Sequence, residues 1–302
     1  SIGNNAFGGC GNLTGISLPS TLQTIGAGAF RACNGVIVIN ADNTKYSTLN
    51  GVLYNKTQTN LIQCPTSVST VNIPNTVTSI GDDAFCGCTN LTEISLPPTV
   101  SIIGYGAFAF CNNMETFTVP SLVNKMNSAV LFGCSGLNVL TLPAAVNSID
   151  KAAFWNCSGL RSFNVYSQNP VTLSDSLAFF WIDKKACTLY VPLGSVNAYR
   201  NATVWSAFNS ITEIKTTTIE SIQKPEDDFL FNSRMKTLEL TGAELPALIY
   251  VFDISGKLML KNTVQANETL SLGLLPNGLY IVTARVGGKI SSSKIVILSD
   301  FN

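Results

Sequence analysis

Apolar and polar residues along the chain fall into one recurring frame. The pair Ala6-Phe7 returns as Ala29-Phe30, Ala84-Phe85, Ala107-Phe108, Leu131-Phe132 and Ala153-Phe154. Apart from one long gap before Ala84, successive pairs stand about 23 residues apart, a period typical of stacked supersecondary repeats. A cysteine follows each pair: Cys10, Cys33, Cys88, Cys111, Cys134 and Cys157. Two residues later comes Asn12, Gly35, Asn90, Asn113, Gly136 or Gly159, a choice that predicts left-handed backbone there, where other side chains clash. Next come Leu13, Val36, Leu91, Met114, Leu137 and Leu160, then Ile16, Ile39, Ile94, Phe117, Leu140 and Phe163. Two positions further stand Leu18, Ala41, Leu96, Val119, Leu142 and Val165, so these last two sets share one face of a short strand. Pro19, Pro97, Pro120 and Pro143 stop the strand, since proline has no N–H for a ladder. Leu22, Val100, Val123 or Val146 then leads into Ile25, Ile103, Met126 or Ile149 and the next unit.

A unit this short cannot bury its apolar face alone. Stacked coils bury it continuously, with like residues over like at the strand spacing of about 4.8 Å. The fold expected is a solenoid, and its L-x-x-I-x-L-P pattern has the strand logic of leucine-rich repeats. Residues 80–100, IGDDAFCGCTNLTEISLPPTV, resemble the BspA-like leucine-rich repeats of bacterial surface proteins, and the resemblance runs over about residues 2–170. It implies a right-handed superhelix of short strands and turns with about 23 residues per coil. The long gap contains Val52-Leu53-Tyr54 and Leu61-Ile62 flanking a polar turn, which predicts a hairpin insertion near 43–65 on an enlarged coil. From 171 the frame degrades into an aromatic-rich stretch, expected to cap the solenoid over 171–215 with Trp181, Tyr199 and Trp205 in its core.

The solenoid is thus placed at 1–215, a linker with a Thr run and the acidic Glu226-Asp227-Asp228 at 216–236, and a small antiparallel β-sandwich at 237–302. Its short strands are separated by turns such as Ser255-Gly256, Pro276-Asn277-Gly278 and Gly287-Gly288. Within it, YVFDISGKL, LGLLPNGLYIV and KIVIL resemble the C-terminal sorting domain of the type IX secretion pathway. That resemblance implies a surface or secreted location, with the module acting in export or attachment.

Composition narrows the function. The 302 residues include no histidine, the commonest general base and metal ligand, so catalysis is not expected. Eighteen basic and eighteen acidic side chains cancel, leaving no electrostatic footprint for nucleic acid. No apolar run reaches the roughly 20 residues of a membrane span. The chain opens on Ser1-Ile2-Gly3 without a charged or apolar leader, so any secretion signal is expected to have been removed or to lie outside it. Six of nine cysteines belong to the repeat, which favours buried free thiols over bridges; Cys64, Cys86 and Cys187 stand outside it, free or paired. Cys86 and Cys88 lack the further ligands that zinc needs, and Asp82-Asp83 lacks the spaced oxygens of a calcium loop and reads as a solvated turn. No cofactor or metal is expected.

Two surfaces are candidates for binding. Outward strand positions, mostly small and polar, include Glu93, Glu115 and Arg161. Beside the Ala-Phe turn lie Arg31, Tyr105, Phe110, Lys151 and Trp155, of which the three aromatics would form a patch across neighbouring coils. The expectation is a monomeric, non-enzymatic, adhesin-like surface protein that binds a protein partner, the alternative being a carbohydrate ligand held by exposed aromatics.

Overall fold

The computed structural model describes residues 1–214 throughout and, beyond them, 229–232, 237–240, 247–253, 258–265, 269–272, 275, 278–286 and 289–297. It divides into two compact units, Ser1–Ile214 and Lys215–Asn302.

The first unit is a solenoid whose coils meet along three ladders. On one face, Thr116–Thr118, Val139–Leu142, Ser162–Val165, Thr188–Val191 and Ser210–Glu213 form a five-stranded parallel sheet, in register Leu140 to Phe163 to Leu189 to Ile211. Gly15–Leu18 and Val36–Ile39 pair the same way near the chain start. Leu140, Leu142, Phe163 and Val165 point inward and are fully buried, while the residues between them stay half-exposed. A second ladder joins Lys125–Met126, Ser148–Ile149 and Thr172–Leu173, and Asn60–Gln63, Ser79–Ile80 and Ile102–Ile103.

The third ladder is made of turns. Phe85 N–H donates to Ala107 O at 2.7 Å, Phe108 N–H to Val130 O at 2.9 Å, Leu131 N–H to Ala153 O at 2.9 Å and Phe154 N–H to Ala178 O at 3.1 Å. The apolar side chains at these rungs are buried and stack where both are rings, as Phe85 on Phe108 at 4.9 Å and Phe154 on Phe179 at 5.9 Å. These bonds correct the pairing expected at one coil. Val130-Leu131, not Leu131-Phe132, takes the Ala-Phe place, leaving Phe132 at the next position.

Left-handed backbone occurs at two places in each of six turns: at Asn5, Gly28, Asp83, Gly106, Ala129 and Ala152, and again at Gly9, Ala32, Gly87, Phe110, Gly133 and Asn156. None is the Asn or Gly position named from the sequence. Those residues are selected by closeness to the preceding coil. A Cβ on Gly136 would stand 2.2 Å from Asn112 O and one on Gly159 2.3 Å from Ser135 O. Asn113 instead uses its side chain, donating Nδ2–H to Thr89 O at 2.8 Å.

All nine cysteines are free thiols. Cys111, Cys134 and Cys157 each aim Sγ at the carbonyl of the residue in the Phe place one coil earlier, Phe85, Phe108 and Leu131, at 3.1–3.2 Å. Cys33 does the same to Phe7 O, whereas Cys10, in the first described coil, is exposed. A thiol is a small, weakly donating group, suited to a buried site that offers one carbonyl lone pair.

The insertion is a hairpin of Tyr46–Leu49 with Val52–Asn55, the latter also pairing antiparallel with Asn60–Gln63. Past 171 the repeat frame does not simply end, because Thr188–Val191 and Ser210–Glu213 add two rungs to the main sheet. Tyr199 and Trp205 are buried in this last part, with Trp205 Nε1–H donating to Val171 O at 3.1 Å and Tyr199 Oη–H to Ser167 O at 3.0 Å. Trp181 departs from the expectation and is 63% exposed.

The second unit is all-β and antiparallel. A three-stranded sheet is made by Phe229–Asn232, Thr237–Leu240 and Thr269–Ser271, so part of the expected linker is a strand. A four-stranded sheet has the order Leu258–Val264, Ala247–Asp253, Gly278–Val286, Lys289–Ile297. Leu238 and Leu270 of the smaller sheet share one buried core with Ile249, Val251 and Val282 of the larger. The acidic cluster Glu226-Asp227-Asp228, the turn residues Ser255-Gly256, Pro276-Asn277 and Gly287-Gly288, and Ser299 to Asn302 lie outside the described residues.

Candidate functional site

On the turns, the residue after each inner-column side chain forms an outer column: Gly8, Arg31, Cys86, Ala109, Phe132, Trp155 and Phe180. The residue after that is left-handed in every coil, and in two coils it is a bulky aromatic, Phe110 at φ 60° and Trp181 at φ 64°. A left-handed conformation disfavours large side chains and is kept only where the surroundings enforce it. Here the turn geometry, held by coil-to-coil hydrogen bonds, enforces it. Phe110 N–H donates to Phe132 O at 2.7 Å and Asn156 N–H to Phe180 O at 2.8 Å.

The two columns converge into a continuous ridge of rings. Phe110 meets Phe132 edge-on at 5.3 Å, Phe132 lies nearly parallel to Trp155 at 6.0 Å, and Trp155 contacts Phe180 at 4.5 Å and Trp181 at 6.1 Å. Phe180 and Trp181 close the ridge at 5.6 Å. Gly133 makes room for it, since a Cβ there would stand 2.8 Å from Phe110 Cδ1. Phe110, Phe180 and Trp181 are exposed, while Phe132 and Trp155 are half-buried between them.

Of the residues singled out from sequence, Phe110 and Trp155 are thus brought together, but through Phe132. Tyr105 is exposed in a different column, Tyr105, Ser128 and Lys151, linked by the bonds Gly106 N–H to Ser128 O and Ala129 N–H to Lys151 O. It makes no ring contact among the described residues. Arg31 is exposed and sits against Cys86 and Asp83 of the next turn. On the strand face, Glu115, Asn138 and Arg161 form one column, with Glu93 one coil earlier. Arg161 turns back on its own coil, donating from Nη1 to Ser158 O and Leu160 O, each at 3.0 Å.

Burial shifts two titratable groups on these turns. Asp83 is buried rather than solvated, and desolvation outweighs the nearby Arg31 charge to raise its carboxyl pKa. Cys86, at a variable position, is also buried, and burial pushes its thiol up to about 11. A thiol held neutral is a poor nucleophile and metal ligand. Among the described residues no group of three or more Cys, Asp or Glu side chains is placed to hold a metal ion.

Phe132 and Phe180 escaped the sequence reading, which assigns Trp181 to the core of the cap instead of the surface. Counting back three residues from Cys134 to Leu131 would have moved Phe132 to the outer column. Phe180 and Trp181 follow an Ala178-Phe179 pair that lacks the marker cysteine, since Ile182 stands in its place.

A solenoid of strand-and-turn coils with a displayed ridge defines the class: a repeat protein that presents surface. Residues 1–71 and 63–180 match the BspA type leucine rich repeat region in six copies, and the chain belongs to that family. Residues 233–298 match the secretion system C-terminal sorting domain, which makes this a secreted or surface protein. The solenoid is similar to the pneumococcal vaccine antigen PcpA, at 19% identity and a TM-score of 0.56 over 70% of this chain. It is also similar to a leucine rich cell surface protein of Faecalibacterium prausnitzii A2-165, at 25% identity and a TM-score of 0.52 over 71%. The chain spans 59% and 51% of the lengths of these two proteins. No curated relative matches the sequence. No helix among the described residues is long and apolar enough to cross a membrane.

Proposed function

We propose that the protein is a non-enzymatic, adhesin-like surface module that binds a protein partner through the turn-side ridge Phe110, Phe132, Trp155, Phe180 and Trp181. The observation that carries this reading is the run of five touching rings, three of them exposed, on the turn side of the solenoid. Aromatic side chains anchor interfaces because they bury large area at small entropic cost, and a rigid solenoid presents them preformed. Lys151 and Tyr105 flank the ridge on the same turns, Arg31 lies on an earlier turn beside Cys86, and Glu93, Glu115 and Arg161 lie on the separate strand face, where they would act as a polar rim for a partner that wraps further. The division of labour follows the two units: the solenoid recognises, and the β-module serves export or attachment. The protein works as a monomer, without nucleic acid or cofactor.

A second reading rests on the near-parallel Phe132 and Trp155 rings, whose faces suit a sugar as well as a peptide. Arrays of extracellular-matrix proteins and of glycans, probed with the purified full chain, separate the two. The expected result is a protein hit lost by at least tenfold in Trp181→Ala and Trp155→Ala. A glycan hit lost in the same variants selects the second reading, and hits indifferent to both substitutions reject the ridge.

A further inference from the structure

One rung of the turn ladder carries a thiol where the others carry a large apolar side chain. At regular coils the residue in the Phe place donates to the next turn, Phe7 N–H to Ala29 O and Phe85 N–H to Ala107 O, both at 2.7 Å. Cys64 N–H makes the same bond to Ala84 O at 2.8 Å. The enlarged coil thus puts Cys64 in the Phe place, directly before Phe85 in the inner column.

The ladder thiols read that place. Cys33, Cys111, Cys134 and Cys157 hold Sγ on the carbonyl of the Phe place one coil earlier, at 2.7, 3.2, 3.1 and 3.2 Å. For Cys88 the residue in that place is Cys64, and the contact slackens: its Sγ stands 3.9 Å from Cys64 O and 3.8 Å from Pro65 O. Cys64 Sγ lies 3.7 Å from the same Pro65 O. Two sulfurs therefore converge on one oxygen, and the Cys64 thiol acts directly on that of Cys88 through a hydrogen bond. Both side chains are 1% exposed and belong to one core. Other neighbouring ladder thiols are each engaged with their own carbonyl. They repeat at the coil spacing of about 4.8 Å, wider than the roughly 3.8 Å that a disulfide sets between Cβ atoms. Cys86 faces Asp83 and Arg31 instead.

We propose that Cys64 and Cys88 form a disulfide in the exported protein. A secreted or surface protein leaves the reducing cytosol and meets disulfide oxidants. The two S–H bonds break as the Sγ–Sγ bond forms. A small or protein disulfide, such as oxidised glutathione, takes up the two electrons and two protons as its own S–S bond is cleaved to two thiols. Exchange runs through a thiolate, and the hydrogen bond from Cys64 together with burial raises the Cys88 pKa, so the closed coil resists attack. The bond forms as the chain folds, before the turn packs. Its place suits a staple. The crossing segment is tied to the coil before it by Thr66 N–H to Cys33 O at 2.9 Å and Ser67 Oγ–H to Asn34 O at 3.0 Å. The core divides here, with Ile62 packed on the first cluster and Cys64 in the second. A bond from Cys64 to Cys88 fixes this segment to the coil after it and constrains the unfolded chain.

The test is to refold the reduced full chain from urea in a mixture of oxidised and reduced glutathione, alkylate the remaining thiols in urea, and map the peptides by mass spectrometry after cleavage around Asp82 and Phe85. The expected outcome is a Cys64–Cys88 cross-link in most chains, with the other seven cysteines alkylated, and the same cross-link in Cys86→Ala. Free Cys64 and Cys88, glutathione adducts on them, or a cross-link lost in Cys86→Ala would overturn the proposal. Oxidant added to the folded, reduced chain should give the bond much more slowly than refolding does. Reduction should lower the urea midpoint of the refolded chain but leave that of Cys64→Ala in place, and an unmoved midpoint in the unsubstituted chain would sink the role as a staple. The ridge takes no part, so Trp181→Ala leaves the cross-link unchanged whether or not the ridge binds.

Discussion

The inner and outer columns of the turns are neighbours in sequence at every coil, yet different forces hold them. Phe85, Phe108, Leu131, Phe154 and Phe179 are buried, each flanked by like residues one coil away, so in these coils the position accepts only large apolar side chains. Cys86, Ala109, Phe132, Trp155 and Phe180 pass from buried to exposed along the same line. Packing selects the first column. The second column tolerates side chains from Ala109 to Trp155, and the ridge proposed to bind a partner lies along it. The left-handed Phe110 and Trp181 sharpen the contrast, because at those positions glycine would be the cheaper choice for the solenoid.

Substitutions can test that contrast. Phe108→Ala removes a ring that touches both Phe85 and Phe117, at 4.9 and 4.8 Å, and should cost about 3–5 kcal/mol in a urea titration. A loss below about 1 kcal/mol would mean that the inner column is not what holds adjacent coils. Gly136→Ala drives a Cβ against Asn112 O and should cost about 1–3 kcal/mol by the same measurement. An unchanged urea midpoint would mean that the coils are free to part at that carbonyl.

The third effect appears only at high pH. Burial pushes Cys86 up to about 11 and Cys157 and Cys187 up to about 12, against an ordinary thiol value of 9.0. Because the folded-state values are raised, the stabilisation is complete below pH 9.0 and is lost as pH rises through about 11 to 12. Urea midpoints should therefore fall above pH 9.0, and less steeply in Cys157→Ala. A midpoint that stays level into that range would show the thiols to be accessible in the folded chain. The smallest effect belongs to the outer column. Phe110→Gly exchanges lost contact with Phe132 for relief of the left-handed strain and should change stability by no more than about 1 kcal/mol, while weakening partner binding. A large destabilisation there would return Phe110 to the core.

Much of the solenoid is legible in the sequence because each coil repeats the same packing problem. Strand residues such as Leu140, Leu142, Phe163 and Val165 announce themselves by alternation, and the cysteines by their fixed distance from the turn. The reasons for some positions are not legible. Asn113 and Gly136 look like left-handed positions, yet they answer to the carbonyls of the coil before them, a contact invisible in a single repeat. The site is legible only in fragments. Phe110 and Trp155 stand out, but a one-residue slip at Leu131 hides Phe132, and the loss of the marker cysteine hides Phe180 and Trp181.

By itself the sequence determined the period, the strands, the insertion and the two-part plan, because these follow from local patterns of burial, turns and proline that each coil must satisfy. Only the tertiary structure decided which variable residues touch and which thiols meet. Both depend on the register between coils, and register is a property of neighbouring coils that no single stretch of chain contains.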